Sequence, residues 1–255
     1  MIDRGMIINK LTEALKSLPY VYALWLEGSD AIGTADEYSD IDFWVDFEDE
    51  YEEAVYGVVE TALGEVSPIN HKHVMNHPHP KIRQRVYRLE NTSEYLIIDF
   101  CWQLHSRAKE ESTFIENDRV ETVKVIFDKK GVIGYKPLNI ADFAQNNESR
   151  LTEAKYRRTQ YMRAEKYVLR RQYLEAYVYY QRYVLEPLVD ILRLIYTPAH
   201  ADYYLVHISQ HIPEADKNRL EYFAQIASLD DISERISHAG GWFDELLSRY
   251  ESGLR

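Results

Sequence analysis

Apolar side chains recur every three or four positions at Ile7, Ile8, Leu11, Ala14, Leu15 and Leu18, a spacing that predicts an amphipathic helix ending at Pro19. VYALWLEG (21 to 28) then reads as a buried strand, and DIDFWVDF (40 to 47) alternates as a second strand should. Helical spacing returns from Tyr51 to Leu63. Three further β-like runs follow, RQRVYRLE (83 to 90), EYLIIDFCWQ (94 to 103) and TVKVIFD (122 to 128), the first two joined through Asn91-Thr92-Ser93 as a hairpin turn. After Gly131 and Gly134 the pattern changes, and from about Asp142 onward it is helical throughout. The stretch from Glu148 to Tyr196 is too long for one straight helix, with Arg171-Gln172-Tyr173 and Pro187 as candidate breaks; Pro198 and Pro213 delimit shorter helices. The expected fold class is α+β, with a mixed-sheet α/β domain over residues 1–140 and an all-α helical-bundle domain over 141–255.

Composition narrows the functional classes. In a chain of 255 residues, 42 acids stand against 30 bases for a formal charge of -12. A field of that sign repels polyanions and favours cationic ligands, which makes duplex nucleic acid a poor partner. Surplus surface acids also serve solubility, so charge alone decides little. No apolar run approaches the roughly 20 residues that span a bilayer, and no membrane association is expected. The start, MIDRGMIINKLTEAL, lacks the continuous apolar stretch and small-residue cleavage site of a leader. The single cysteine, Cys101, has no internal disulfide partner. A cytoplasmic location is expected.

The second strand carries the first chemical signal. Strand geometry puts Asp40 and Asp42 roughly 6.6 Å apart on one face, where two ionised carboxylates repel by about 2.5 kcal/mol at an effective dielectric near 20. A divalent cation between them reverses that sign, and Mg²⁺ is typically held by one or two carboxylates together with substrate phosphates. A solvated strand edge is the competing reading of so short a pattern. Upstream, Gly28-Ser29 follows a buried strand: glycine lets backbone approach a phosphate, and the serine hydroxyl and nearby N–H groups can donate to its oxygens.

This arrangement, Gly28-Ser29, ten residues, then Asp40 and Asp42, resembles the nucleotidyltransferase superfamily whose core is shared with DNA polymerase β. A short α/β domain followed by helices looks most like its aminoglycoside and lincosamide adenylyltransferases and their bacterial relatives. The resemblance covers the N-terminal domain well and the helical part only in style. It implies a third acid from a neighbouring strand, and Asp99 in YLIIDFCWQ matches. It further implies transfer of a nucleoside monophosphate, AMP from ATP above all, to a hydroxyl of a small molecule such as an aminoglycoside-like antibiotic. Asp40, Asp42 and Asp99 would be the catalytic and metal-binding acids for two Mg²⁺ ions, and Gly28 and Ser29 would hold the triphosphate. Asp99 or a base from the helical domain would take the acceptor's proton. Small members of the superfamily pair with helical toxin partners, so an antitoxin-like interaction module is the alternative. The complete motif and the long helical extension favour the enzyme.

Several other groups have two readings. Arg163, Lys166 and Arg170 share one face of a predicted helix and could close over a triphosphate, Lys166 first among them, or form a solvated face. Tyr173, Tyr177 and Tyr180 form a helical stripe suited to a core or a substrate pocket. Asp46, Glu48, Asp49, Glu50, Glu52 and Glu53 could attract a cationic acceptor or simply solvate a loop and helix start. His71, His73, His77 and His79 invite a zinc reading, but Pro78 and Pro80 impose extended, loop-like backbone on the second pair, which favours a polar or substrate-facing loop.

Overall fold

The computed structural model describes residues 2–253, which fall into two compact units divided between Leu138 and Asn139. The first unit begins with α1 (Arg4–Lys16), whose N-cap Asp3 accepts from the backbone N–H of Met6. Its apolar stripe, Ile7, Leu11 and Leu15, is fully buried. Next come β1 (Val21–Leu26), the short α2 (Gly28–Ile32), β2 (Ile41–Phe47) and α3 (Glu52–Val66). The sheet continues with β3 (Ile69–Met75), β4 (Ile82–Leu89) and β5 (Ile98–Leu104). A small parallel pair, β6 (Thr113–Ile115) with β8 (Gly134–Lys136), brackets β7 (Lys124–Asp128).

Six strands form one mixed sheet in the order β3-β4-β5-β2-β1-β7. The central pair β2 and β5 is parallel, and the other pairings are antiparallel. Parallel neighbours need a crossover connection, and α3 lies within this one. Ile41, Phe43, Val45 and Phe47 share a core with Ile98, Phe100 and Trp102 and with the buried faces of α1 and α3. The alternate residues of β2 and β5, Asp42, Trp44, Asp99 and Cys101, therefore point to the other face.

The hydrophobic pattern does not predict the short β6 and β8, and within the six-stranded sheet the strand it does not predict is β3. Six of its seven residues are exposed, so an edge position supplies none of the apolar alternation on which a sequence reading relies. His71 and His73 lie on this strand rather than in a loop, paired with Arg88 and Val86 of β4. His77 and His79 lie beyond its end. Among the described residues no three His, Cys, Asp or Glu side chains gather as a three-ligand metal group; neither the histidines nor Asp40, Asp42 and Asp99 do so.

The second unit is helical: α4 (Ala144–Arg158), α5 (Met162–Leu169), α6 (Tyr173–Tyr180), α7 (Glu186–Tyr196), α8 (Ile208–His211), α9 (Glu214–Ala224) and α10 (Leu229–Glu251). The chain breaks between α5 and α6, where Arg171 takes a left-handed φ of 56°. A π-type turn, Gln181–Leu185, joins α6 to α7. Pro187 lies just past this π-type turn; the backbone stays helical through it, and a residue with no N–H to donate to the preceding turn fits a departure from α geometry there. Leu188, Ile191 and Leu192 of α7 pack with Phe223 of α9 and with Trp242, Phe243 and Leu246 of α10. Tyr180 is core, Tyr173 is half-buried at its margin, and Tyr177 is exposed. No helix among the described residues is long and apolar enough to cross a membrane.

Candidate active site

Parallel registry brings two acids together. Asp42 of β2 is the direct partner of Asp99 on β5, so residues far apart in sequence stand side by side on the face opposite the α1–α3 core. A cavity of about 310 Å³ opens there, lined by both acids with Glu27, Gly28, Trp44, His77, Gln84 and Cys101. Larger hollows exist elsewhere, one of about 550 Å³ around Arg150 and Asp190 and one of about 620 Å³ between α1 and α3. The smaller cavity is the one where carboxylates converge on a glycine turn.

Asp40 lies just before β2, exposed, rather than on the strand. Its charge still reaches both partners. Burial first, then the negative charges of Asp40, Asp99 and Asp30, push the Asp42 carboxyl up to about 7. Asp99 is also raised, chiefly by burial and further by Asp40, while a hydrogen bond from Gln84 pulls the other way. That bond is shared: Gln84 Nε2 donates to Oδ1 at 2.9 Å and to Oδ2 at 2.8 Å. Glu27 is a third acid in the cavity, raised to about 7 mainly by burial, with Trp25 Nε1 donating to it at 2.9 Å.

The turn between β1 and β2 is built around Gly28. Its φ is +57°, and a Cβ there would lie 2.2 Å from Asp42 Oδ2. Only a residue without a side chain brings this backbone against that carboxylate. Ser29 follows at the start of α2, and its Oγ is buried without a hydrogen-bond partner. A buried hydroxyl normally finds a partner, which sets this one apart among the described residues. The loop is pinned from α1. Arg4 Nη1 donates to Asp30 at 2.7 Å and to the Asp40 carbonyl at 2.6 Å, and Nη2 donates to the Ser39 carbonyl at 2.9 Å.

The remaining sequence candidates are scattered. Lys166 is an exposed residue of α5 in the second unit, its Nζ 5.2 Å from the ring centroid of Tyr167. Asp46 is buried on β2, accepting from Gln103 Nε2 and paired with His105 Nδ1, both at 2.8 Å. Glu48 bonds Tyr22, Asp49 bonds Ser106, and Glu52 bonds Arg83, so with Asp46 four of the six acids in that run are engaged locally. The cavity also contains groups that sequence reasoning missed. Glu27 had a signal, since it directly precedes Gly28. Gln84 had none, because its place depends on how β4 falls beside β5; His77, from the run read as a polar or substrate-facing loop, lines the cavity.

The donor set suits a hard cation. Asp42 and Asp99 offer oxygens from adjacent strands, and the repulsion that adds to burial in raising Asp42 is what a divalent ion would relieve. Two carboxylates leave most of an octahedral shell to water and phosphate, which is how Mg²⁺ is ordinarily held.

Residues 8–126, within the first unit, match the family model described as nucleotidyltransferase domain. No curated protein matches the chain. Three solved structures run alongside it. The chain is 11% identical to an aminoglycoside 6-adenyltransferase from Bacillus subtilis, over 99% of this chain and 92% of that one, with a TM-score of 0.36. A spectinomycin adenyltransferase from Enterococcus faecialis, solved with ATP and spectinomycin, is 10% identical over 98% and 100%, TM-score 0.36. JHP933 from Helicobacter pylori is 14% identical over 99% and 97%, TM-score 0.29. Likeness at this level says nothing of substrate or chemistry.

Proposed function

We propose that the first unit transfers a nucleoside monophosphate, AMP from ATP, to a hydroxyl of a small molecule, with magnesium bound at Asp42 and Asp99. The observation that carries this reading is the convergence at one cavity of that registered acid pair and the glycine turn, with the unpartnered Ser29 hydroxyl one residue further along the chain. Asp40 adds negative charge that reaches both acids. When bound, magnesium would supply Lewis-acid stabilisation of the phosphoryl charge.

The chain's own residues divide the remaining tasks. Ser29 Oγ would donate to a phosphate oxygen, and Gly28 lets the backbone approach because no Cβ stands in the way. Gln84 holds both oxygens of Asp99 with one amide nitrogen, fixing the carboxylate plane against an incoming hydroxyl. Asp99 would accept that hydroxyl's proton. Glu27, beside Trp44 in the same cavity, adds negative charge suited to a cationic acceptor such as an aminoglycoside.

Calorimetric titration of ATP in the presence of Mg²⁺ tests the reading, comparing wild type with Asp42→Asn. Magnesium-dependent binding that the substitution abolishes supports it and opens a screen of hydroxylated amines for pyrophosphate release. A folded wild type that binds no nucleoside triphosphate would overturn it.

A further inference from the structure

We infer that the α5–α6 region of the second unit is a binding surface for single-stranded nucleic acid. The inference rests on observations in that unit alone and is independent of the proposed transfer reaction. Three half-buried tyrosines form a continuous stack: Tyr167 on Tyr179 at 5.1 Å and 6°, and Tyr179 on Tyr183 at 5.9 Å and 9°. Four exposed cations sit about the two end rings. Lys166 Nζ and Arg170 Cζ are 5.2 and 5.3 Å from the Tyr167 centroid, and Arg163 Cζ and Arg182 Cζ are 5.7 and 5.9 Å from that of Tyr183. Tyr183 belongs to the π-type turn, a departure from α geometry found frequently at functional sites.

Charge is the second observation. Residues 162 to 183 hold five bases, the four above and Arg171, against two acids, Glu165 and Glu175, in a chain whose overall charge is -12. None of the five bases forms a close ion pair among the described residues, although the charge of Arg182 reaches Glu186 just beyond this stretch. By contrast Arg150 pairs with Asp190, and Arg157 with Glu153 and Glu186, on the neighbouring helix α4. Bases left unpaired where acids are plentiful keep their charge for an external anion. Beside them Leu169, Leu174 and Val178 are 80%, 73% and 63% exposed, supplying apolar surface at the same place.

Cations that follow a phosphate backbone, combined with aromatic and apolar surface on which bases stack, are what single strands require. A duplex hides its base faces and would bring its second strand's phosphates against an acidic molecule. Lys166, which the family resemblance offers to a triphosphate, is in this reading one member of a longer anion track.

The test is fluorescence anisotropy of the full chain with a labelled single-stranded RNA of about 12 nucleotides, within the range one such surface accommodates. Each neutralised phosphate of a single strand contributes ~0.7 to the slope of log K against log salt, so four or five contacts give a slope of about -3. The variant R163A/K166A/R170A should flatten it to about -1 and weaken binding at least about tenfold at low salt. All three side chains are exposed, and circular dichroism confirms that the variant is folded. Binding that survives Asp42→Asn and excess Mg²⁺–ATP supports the surface. No binding at low salt, an unaltered triple variant, equal binding of duplex RNA, or displacement by Mg²⁺–ATP each overturns it, the last by making the surface a nucleotide site.

Discussion

Gly28→Ala separates the role of the glycine turn in folding from its role at the acids. A non-glycine residue at φ +57° costs about 1–2 kcal/mol for its backbone conformation. The added Cβ would also lie 2.2 Å from Asp42 Oδ2, whereas ordinary van der Waals contact begins at 3.4 Å. Asp42 can yield by rotating its side chain, so the domain should fold, but its carboxylate then leaves its place beside Asp99. A displacement near 1 Å at a reacting centre costs on the order of 100-fold in rate. Gly33→Ala is the matched control: φ there is +84°, yet nothing lies within 4 Å of the point a Cβ would occupy. Both variants should lose about 1–2 kcal/mol in urea denaturation. Only Gly28→Ala should lose magnesium-dependent ATP binding and pyrophosphate release. If the two lose binding equally, or Gly28→Ala retains it, the argument from close approach is wrong.

Ser29→Ala removes a buried hydroxyl without a partner, so stability without ligand should hold or rise by about 1 kcal/mol, while calorimetry shows weaker ATP binding. Gln84→Leu deletes the hydrogen bonds that orient Asp99 and should lower kcat more than it raises KM in a steady-state pyrophosphate assay. Arg249→Ala strips the Asp216 carboxylate of two hydrogen bonds, at 3.1 and 3.0 Å, and should cost about 2–4 kcal/mol in urea at pH 7. Burial alone would raise Asp216, but Arg249 and Tyr196 hold it below its ordinary 3.8. The stabilisation is therefore full above about pH 4 and fades as acid titrates the carboxylate through its lowered value. Wild type and variant should converge in denaturation curves taken at successively lower pH.

What the sequence disclosed depended on burial. β1, β2 and β5 have one or both faces in a core, and their apolar patterns point to them directly. β3 has neither, and its His-Lys-His run reads as loop because an edge strand exposes nearly every residue. The acids divide in the same way. Asp42 and Asp99 stand out as charges set in apolar runs, and the structure places them in register; Asp40 lies outside the strand. Arg4 gives no sign in the sequence of its grip on the 30–40 loop, since a lone arginine early in a helix is ordinary until tertiary structure puts carbonyls within its reach. Lys166 stands out by helical spacing, which fixes a face of a helix without saying what that face meets.

The parallel registry of β2 and β5 also sets when the site can come into being. Asp46 and Gln103 are partners in that ladder and stand 57 residues apart, a separation shared by every in-register pair along it, Asp42 and Asp99 included. A contact of that range forms only after a large loop has closed, which slows folding relative to local helix formation. A nascent chain released before β5 emerges would have its glycine turn and first acids but no partner for them. Magnesium–nucleotide binding would then report completed topology rather than secondary structure, making it a stricter probe of refolding than circular dichroism.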